Sequence, residues 1–411
     1  MKKNAYFFRS FILVIFSAFF ANEAFSQSSI HFLYGCVTTT GNQTYTGPIR
    51  WGDEEVLWTD IFNSTKTAND YLQYLKKISN KVLVIESENQ RELLSIEVDD
   101  AFSQIHTFEC RFGDIRSLQV ISSMRVDLRL KNDFVYHLRN GSNDVGTELQ
   151  VLDENLGRVK LPWDKIRKVE FMEAKTASTE WFGEPLTGTV HTIRGTFSGQ
   201  IEWDQDERLT TDILNGETEN EKMGIPFGTI RSIIKHEDGS QVVMVTGDEH
   251  VLRGSNDVNS TNRGIIVTIK GLGRVEVPWE AFVKVIFNDD ISFEGLGYTD
   301  FSAAEPLKGT VYTRQGTVLS GGIVFDMDEA FDTEFLQGKS NEIEYQIPFR
   351  NVATIVPVDE RSSEITLQNG EKLTLGNMQD VSRANDGVLI YQDTSSLIKI
   401  NWFDVMEIRF R

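Results

Sequence analysis

Residues 275–287 read VEVPWEAFVKVIF: alternating apolar and polar positions, a proline–aromatic break, one turn, and a second short alternation. Period-two alternation over four to eight residues is the pattern of a half-buried strand. Proline cannot donate to a strand ladder, so pairing stops there. The stretch therefore predicts strand, corner, strand. The phrase recurs six times, at Cys110-Arg111-Phe112, Leu161-Pro162-Trp163, Ile225-Pro226-Phe227, Val277-Pro278-Trp279, Ile347-Pro348-Phe349 and Ile400-Asn401-Trp402. Three and six residues past each aromatic stands an apolar residue: Ile115 and Leu118, Ile166 and Val169, Ile230 and Ile233, Phe282 and Val285, Val352 and Ile355, Val405 and Ile408. The pattern predicts that each aromatic anchors a single tight turn and that the strand after it closes a sheet. Burying each of these rings is worth about 1.5–3 kcal/mol.

The aromatic alternates Phe and Trp. Phe-to-Trp spacings are 51, 52 and 53 residues, and Trp-to-Phe spacings are 64 and 70. This predicts three tandem modules of two halves each, spanning residues 27–173, 185–287 and 306–411. Residues 173–184 and 288–305 are read as linkers rich in small and acidic residues. First halves share a second phrase, GTVHTIRGTFSGQIEWD at residues 188–204, with counterparts at 35–51 and 309–326. Its glycines and alternation predict a hairpin followed by a further strand. Second halves share GSNDV at 141–145 and 254–258, decayed to GNMQDV at 376–381. Either each half closes on itself, giving six barrels, or two halves complete one domain, giving three. The regular Phe–Trp pairing favours three, and the uneven spacing disfavours a six-bladed propeller.

The first module carries an insertion at about residues 63–109. DYLQYLKKIS at residues 70–79 predicts a short helix with Tyr71, Leu72, Leu75 and Ile78 on one face. Residues 81–85 and 92–98 read as added strands. Insertions of this kind are frequent carriers of function.

An apolar–proline pair, a tight turn and a closing strand resemble the end of a Src-homology-3-type small barrel. The phrase at 188–204 is similar to the opening strands of Sm-like barrels. The resemblance covers most of residues 32–411 and implies an all-β fold of SH3-like small-barrel halves. The basic loops with which Sm-like proteins hold RNA have no counterpart here, nor has the aromatic cluster that grips polyproline in signalling barrels. No binding residue is carried over.

Residues 1–26 have a basic start (Lys2, Lys3, Arg9), an apolar run FILVIFSAFF at 11–20, and Ala24-Phe25-Ser26. That is the layout of a secretory signal peptide. It predicts export, to the periplasm, cell surface or medium, with the mature chain beginning at Gln27. No later stretch reaches the roughly 18 apolar residues of a spanning helix, and the strands are shorter than the about ten residues of outer-membrane barrels. The formal charge of the 411-residue chain is −20. Such a surface repels phosphate backbones and excludes nucleic acid as a partner class.

Acidic residues cluster after the second phrase, at Asp53-Glu54-Glu55, Asp204, Asp206, Glu207, Asp326, Asp328 and Glu329. Asp204, Asp206 and Glu207, with Asn256 and Asp257 of the GSNDV loop, form a candidate calcium set, since calcium takes several carboxylate and carbonyl oxygens. The competing reading is turn chemistry, for which Asp, Asn and Gly are suited. The six histidines show no zinc spacing, and neither a nucleophile elbow nor a phosphate loop is present. Cys36 and Cys110 are an even pair that an exported chain can join as a disulfide. Trp163, Trp279 and Trp402 are assigned to the core, Trp51, Trp58 and Trp203 to partly exposed positions, and Trp181 to the surface. The functional expectation is an exported, non-catalytic binding or structural repeat protein of the cell envelope with a protein or glycan partner. Its alternatives are a calcium-dependent binding module, or a carboxylate-dependent hydrolase with its site near the insertion.

Overall fold

The computed structural model describes residues 31–78, 84–85, 107–140, 144–174, 182–287, 295–391 and 397–411. The segment read as a signal peptide, Trp181, and the strand expected at 92–98 lie outside them. The fold is all-β, built of antiparallel sheets with one short parallel pairing, of residues 84–85 with 398–399. Among the described residues there is one α-helix, α1 (Asp70–Ile78), and no helix long and apolar enough to cross a membrane.

The first run of chain holds β1 (Tyr34–Thr39), β2 (Thr44–Trp51), β3 (Ile61–Lys66), β4 (Val84–Ile85), β5 (Thr107–Arg111), β6 (Ile115–Ser122), β7 (Arg125–Leu130), β8 (Val135–Arg139), β9 (Leu149–Asp153), β10 (Gly157–Leu161) and β11 (Ile166–Phe171). The second holds β12 (Thr187–Thr192), β13 (Thr196–Glu202), β14 (Ile213–Glu217), β15 (Lys222–Pro226), β16 (Ile230–His236), β17 (Gly239–Met244), β18 (Glu249–Leu252), β19 (Ile265–Ile269), β20 (Gly273–Val277) and β21 (Phe282–Phe287). The third holds β22 (Lys308–Thr313), β23 (Val318–Phe325), β24 (Phe335–Ser340), β25 (Ile343–Pro348), β26 (Val352–Pro357), β27 (Ser362–Leu367), β28 (Lys372–Gly376), β29 (Val388–Tyr391), β30 (Leu397–Ile400) and β31 (Val405–Phe410).

One pairing order recurs. In the first run it is β10-β9-β2-β1-β11-β6-β7-β8-β3-β5. The second run repeats it as β20-β19-β13-β12-β21-β16-β17-β18, with β14-β15 joined through a Glu217–Arg253 bridge. The third repeats it as β30-β29-β23-β22-β31-β26-β27-β28-β24-β25. Neither sequence half closes on itself. In the first run, β1 and β2 come from the first half, and β2 continues onto β9 of the second, with Ile49 opposite Val151. In exchange, β3 of the first half pairs with β8 of the second. The two edges of β2 are taken by β1 and β9, so the chain leaving β2 pairs elsewhere, as β3 with β5 and β8.

The glycines of the second phrase do not all mark turns, as the alternation suggested. Gly47 and Gly199 lie inside β2 and β13, which each run on as a single strand between two partners. A Cβ at Gly47 would stand 2.0 Å from the Leu152 carbonyl oxygen, and one at Gly199 2.2 Å from that of Thr268. Only a residue without a side chain lets the strand pass from one partner to the next there.

The corners form as tight turns. Five are single 3₁₀ turns, among them Phe112–Asp114 and Trp163–Lys165, and at Trp279 the Ala281 amide donates to the Pro278 carbonyl at 3.0 Å. All six aromatics and the apolar residues three and six positions on are buried. The residue at plus three already opens the closing strand in each case. Trp51, Trp58 and Trp203, expected to be partly exposed, are buried in full. Trp51 ends β2, Trp203 follows β13 and Trp58 lies in a turn, and each ring is covered by another aromatic: Phe112 at 5.4 Å from Trp51, Phe282 at 5.3 Å from Trp203 and Tyr298 at 4.7 Å from Trp58. The face of α1 is as expected, with Tyr71, Leu72 and Leu75 buried. Cys36 and Cys110 are free thiols, with Cys110 buried and Cys36 half-buried. They sit on β1 and β5, strands that are not neighbours in the pairing order.

The runs are joined. β20 pairs with β25, with Val275 opposite Tyr345, and one apolar core spans the second and third runs. The core of the first run reaches Val324, Met327 and Phe331 of the third. Residues 295–305, read as linker, are packed in: Phe301 is buried, and the Tyr298 ring lies 4.7 Å from that of Trp58.

Candidate functional site at the junction of the three runs

The acidic stretches are turns with defined work. In residues 51–60, 203–212 and 325–334, the first and fifth residues exchange backbone hydrogen bonds, as in Trp203 N to Glu207 O at 2.7 Å. The second residue takes a left-handed backbone, with φ 64° at Gly52, 50° at Asp204 and 48° at Asp326, a region that Gly, Asp and Asn tolerate best. The tenth residue is a clasp. Asp60 Oδ2 accepts the amides of Val56 and Leu57 at 2.7 and 2.8 Å, Asp212 Oδ2 those of Arg208 and Leu209 at 2.9 Å, and Glu334 Oε2 those of Ala330 and Phe331 at 2.6 and 2.9 Å.

The aspartate of GSNDV and its relatives is a second clasp. Asp144, Asp257 and Asp380 each accept, at 2.6 Å, a backbone amide of the strand that crosses between halves, from Asn63, Asn215 and Gln337. The carbonyls of Asp144 and Asp257 accept the indole N–H of Trp51 and Trp203 at 2.9 and 2.8 Å. These aspartates hold the exchanged strands in place.

Of the candidate calcium set, the structure brings Asp204 and Asn256 together through a hydrogen bond. The Arg263 guanidinium pairs with both Asp204 and Asp206, and its amide donates to Asp204 Oδ1 at 2.5 Å. Asp257 faces Asn215 instead. Among the described residues no group of three or more His, Cys, Asp or Glu is placed to hold a metal ion. Glu207 has a buried oxygen without a hydrogen-bond partner, and burial, then the nearby Asp257, pushes its carboxyl up to about 8. Its counterparts behave alike. Burial, then Asp144, raises Glu55 to about 9, and burial, then Asp380, raises Glu329 well above the carboxylate range. Burial also lifts Asp144 and Asp380 to about 7.

Residues that the sequence reading missed are the cations. Lys66 Nζ, buried, lies 2.8 Å from Asp328 and 3.5 Å from Glu334 of the third run. Burial opposes its charge, but the two carboxylates outweigh burial and hold it protonated. Arg208, buried, lies 3.2 Å from Asp60 and 3.8 Å from Glu202. Arg208 had a legible signal: it stands where the other two turns have Val56 and Ala330.

Three cavities open where the runs meet. One of about 170 Å³ is lined by Glu109, Asp326, Asp328, Glu329, Glu334 and Asp380, with Lys66 the sole cation among the described residues. A second, of about 260 Å³, shares Glu109 and adds Glu54, Glu55, Glu202 and Glu276 beside Arg208 and Arg274. The largest, of about 550 Å³, has the opposite balance: Arg111, Lys270, Arg274 and Arg350 against Asp300. Its wall also carries Leu296, Phe301, Phe335 and Pro348.

No protein-family model matches the chain, and no curated protein matches it. A solved structure titled "Streptogramin B lyase structure" is similar over 86% of this chain and 99% of its own, at 8% identity and a TM-score of 0.12. A likeness at that level carries no argument about fold or activity.

Proposed function

We propose that the chain is an exported, non-catalytic binding protein of the cell envelope. In this reading it consists of three tandem modules, each of two SH3-like small-barrel halves that exchange strands, and its ligand sits at the junction. The recurrent pairing order, with a tight turn before each closing strand, supports the architecture. The observation that carries the function is the junction itself: buried ion pairs join the first run to the third and to the second, and a 550 Å³ cavity lined by both apolar and charged side chains, sharing Ile61 and Arg274 with the cavity at Arg208, opens beside them, a concave site where elements meet, as ligand sites are. The calcium alternative has less support, because Arg263 already neutralises Asp204 and Asp206. The hydrolase alternative also has less, because Asp60, Asp144, Asp380 and Glu334 are committed to backbone amides.

The test is thermal melting of residues 27–411 against organic acids, sugars, amines and calcium, with mass spectrometry of each compound afterwards. A raised midpoint with the compound intact is the expected result. Conversion of a compound would replace the binding reading with an enzymatic one. A response to calcium alone would revive the metal site, and no response at all would leave a structural role.

A further inference from the structure

The pairing order leaves one joint half-made. The strands before the Trp corners are β10, β20 and β30. β20 receives β25 of the third run, with Arg274 opposite Gln346, Val275 opposite Tyr345 and Glu276 opposite Glu344. β30 receives β4 of the first run. Among the described residues, β10 pairs with β9 alone. On the other side of the joint, the strands before the Phe corners are β5, β15 and β25. β5 is spent inside the junction, where its Glu109 accepts from the side-chain amides of Gln337 and Gln346 at 2.9 and 3.3 Å. Among the described residues, β15 pairs with β14 alone, and its Lys222 and Gly224 are exposed. Opposite these two on β14, Glu217 donates its amide to Arg253 and Asn215 donates its own to Asp257. Neither pair bonds across the hairpin, so the amides of Lys222 and Gly224 point to the outer edge.

The two edges match. Aligned on their corners, Arg158, Val159 and Lys160 stand where β20 has Arg274, Val275 and Glu276. Lys222, Met223 and Gly224 stand where β25 has Glu344, Tyr345 and Gln346. In the joint that is made, Glu276 faces Glu344, which holds Lys339 at 3.2 Å. In the other, Lys160 would face Lys222, which holds Glu217, the counterpart of Lys339, at 3.3 Å. All three charges are reversed together. Coulomb energies depend on products of charges, so the two joints have the same balance. Lys160 holds Glu148 at 3.2 Å in an exposed pair, which costs little to break. The apolar neighbours agree. Leu272, just before β20, is 7% exposed where Asn351 of the third run reaches its carbonyl, whereas its counterpart Leu156 is 68% exposed.

We propose that a second copy of this chain docks by strand addition, its β15 edge pairing antiparallel with β10 in the register of β25 with β20. The two surfaces differ, so the contact is head-to-tail and either propagates as a filament or closes into a ring. It does not depend on the junction holding a ligand.

The test is sedimentation velocity of residues 27–411 over a wide range of concentration. Species beyond a dimer are expected at the upper end. Leu156→Asp charges the exposed residue beside β10, and Lys222→Pro removes an outward amide of β15. Each variant, its fold checked by circular dichroism, is expected to remain monomeric. Mixing the two is expected to restore a dimer that grows no further, since one keeps a sound β15 edge and the other a sound β10 edge. Gly224→Arg, which sets a cation opposite Arg158, replaces Lys222→Pro should the proline disturb the hairpin. A wild-type chain that stays monomeric, folded variants that assemble as the wild type does, or a mixture that stays monomeric would each overturn the proposal.

Discussion

The seam between the first and third runs and the seam between the first and second use the same clasp acid in different ways. At the first–third seam, Glu334 clasps its own turn with one oxygen and meets Lys66 and the Tyr136 hydroxyl with the other, the latter at 2.9 Å. Asn69 donates to the Met327 carbonyl at 2.7 Å, the Tyr71 and Tyr391 hydroxyls meet at 2.6 Å, and the apolar core is continuous across. At the first–second seam, Asp60 clasps its turn and meets Arg208, and Thr59 donates to Gln200 at 2.9 Å. The apolar contact there is a small separate cluster around Val56, Phe182 and Leu209. Asp212, the third clasp, meets Arg50 at 3.4 Å in a partly exposed pair. One turn design thus serves an oily seam, a polar seam and a surface pair. The turn dictates the clasp, and the neighbouring run decides what else the acid meets: Glu334 and Asp212 offer their spare oxygen, whereas Asp60 meets Arg208 through the clasping Oδ2 itself.

The comparison is broken most strongly by removing the buried cations. Lys66→Met leaves Asp328 and Glu334 buried together, and Arg208→Met leaves Asp60 and Glu202 so. Each is expected to cost about 3–5 kcal/mol, read as a lower urea midpoint. A loss below about 1 kcal/mol in either would mean that the carboxylates of that seam are solvated.

Next comes pH. Glu55 near 9, Glu207 near 8 and Asp144 and Asp380 near 7 all stand above their unfolded values. At these four groups the folded chain therefore binds more protons than the unfolded chain between pH 5 and 9. These groups contribute stability at low pH that is lost as pH rises through each folded value, at up to about 1.4 kcal/mol per pH unit for each. The urea midpoint is expected to fall from pH 6 to pH 9, and a flat profile would show these carboxyls ionised and hydrated. Both seams contribute, so Asp380→Asn at the first–third seam and Asp144→Asn at the first–second seam should each remove part of the slope.

The smallest effect is at Arg50→Ala. Its pair with Asp212 is partly exposed, and a change of about 0–1 kcal/mol is expected by the same unfolding measurement. A loss as large as that of Arg208→Met would erase the distinction between buried seam and surface pair.

The corners were legible because their signal is local: proline stops a ladder and an aromatic three residues before an apolar position packs over one turn. The acidic turns were legible as turns for the same reason, since Asp, Asn and Gly suit turns, but their clasps, Asp60, Asp212 and Glu334, emerged only from the hydrogen bonds. The calcium set was assembled from residues that the chain does bring near one another, but Arg263 stands among them, and nothing in spacing announces a cation arriving from across a loop. Trp51, Trp58 and Trp203 were misplaced because alternation describes one segment at a time, whereas these rings are covered by aromatics distant in sequence, such as Phe112, Tyr298 and Phe282.

By itself, then, the sequence determined the alternating strands, the six corners, the repeat and the places of the acidic turns, since hydrogen bonding and side-chain periodicity act over a few residues. Tertiary structure alone decided that the halves exchange strands, that Lys66 and Arg208 are buried in seams, and that four cations line one cavity of an acidic chain. Those outcomes depend on which edge is free and which charges meet after burial, across separations such as Lys66 to Glu334, and desolvation gives them an energy that no local pattern encodes.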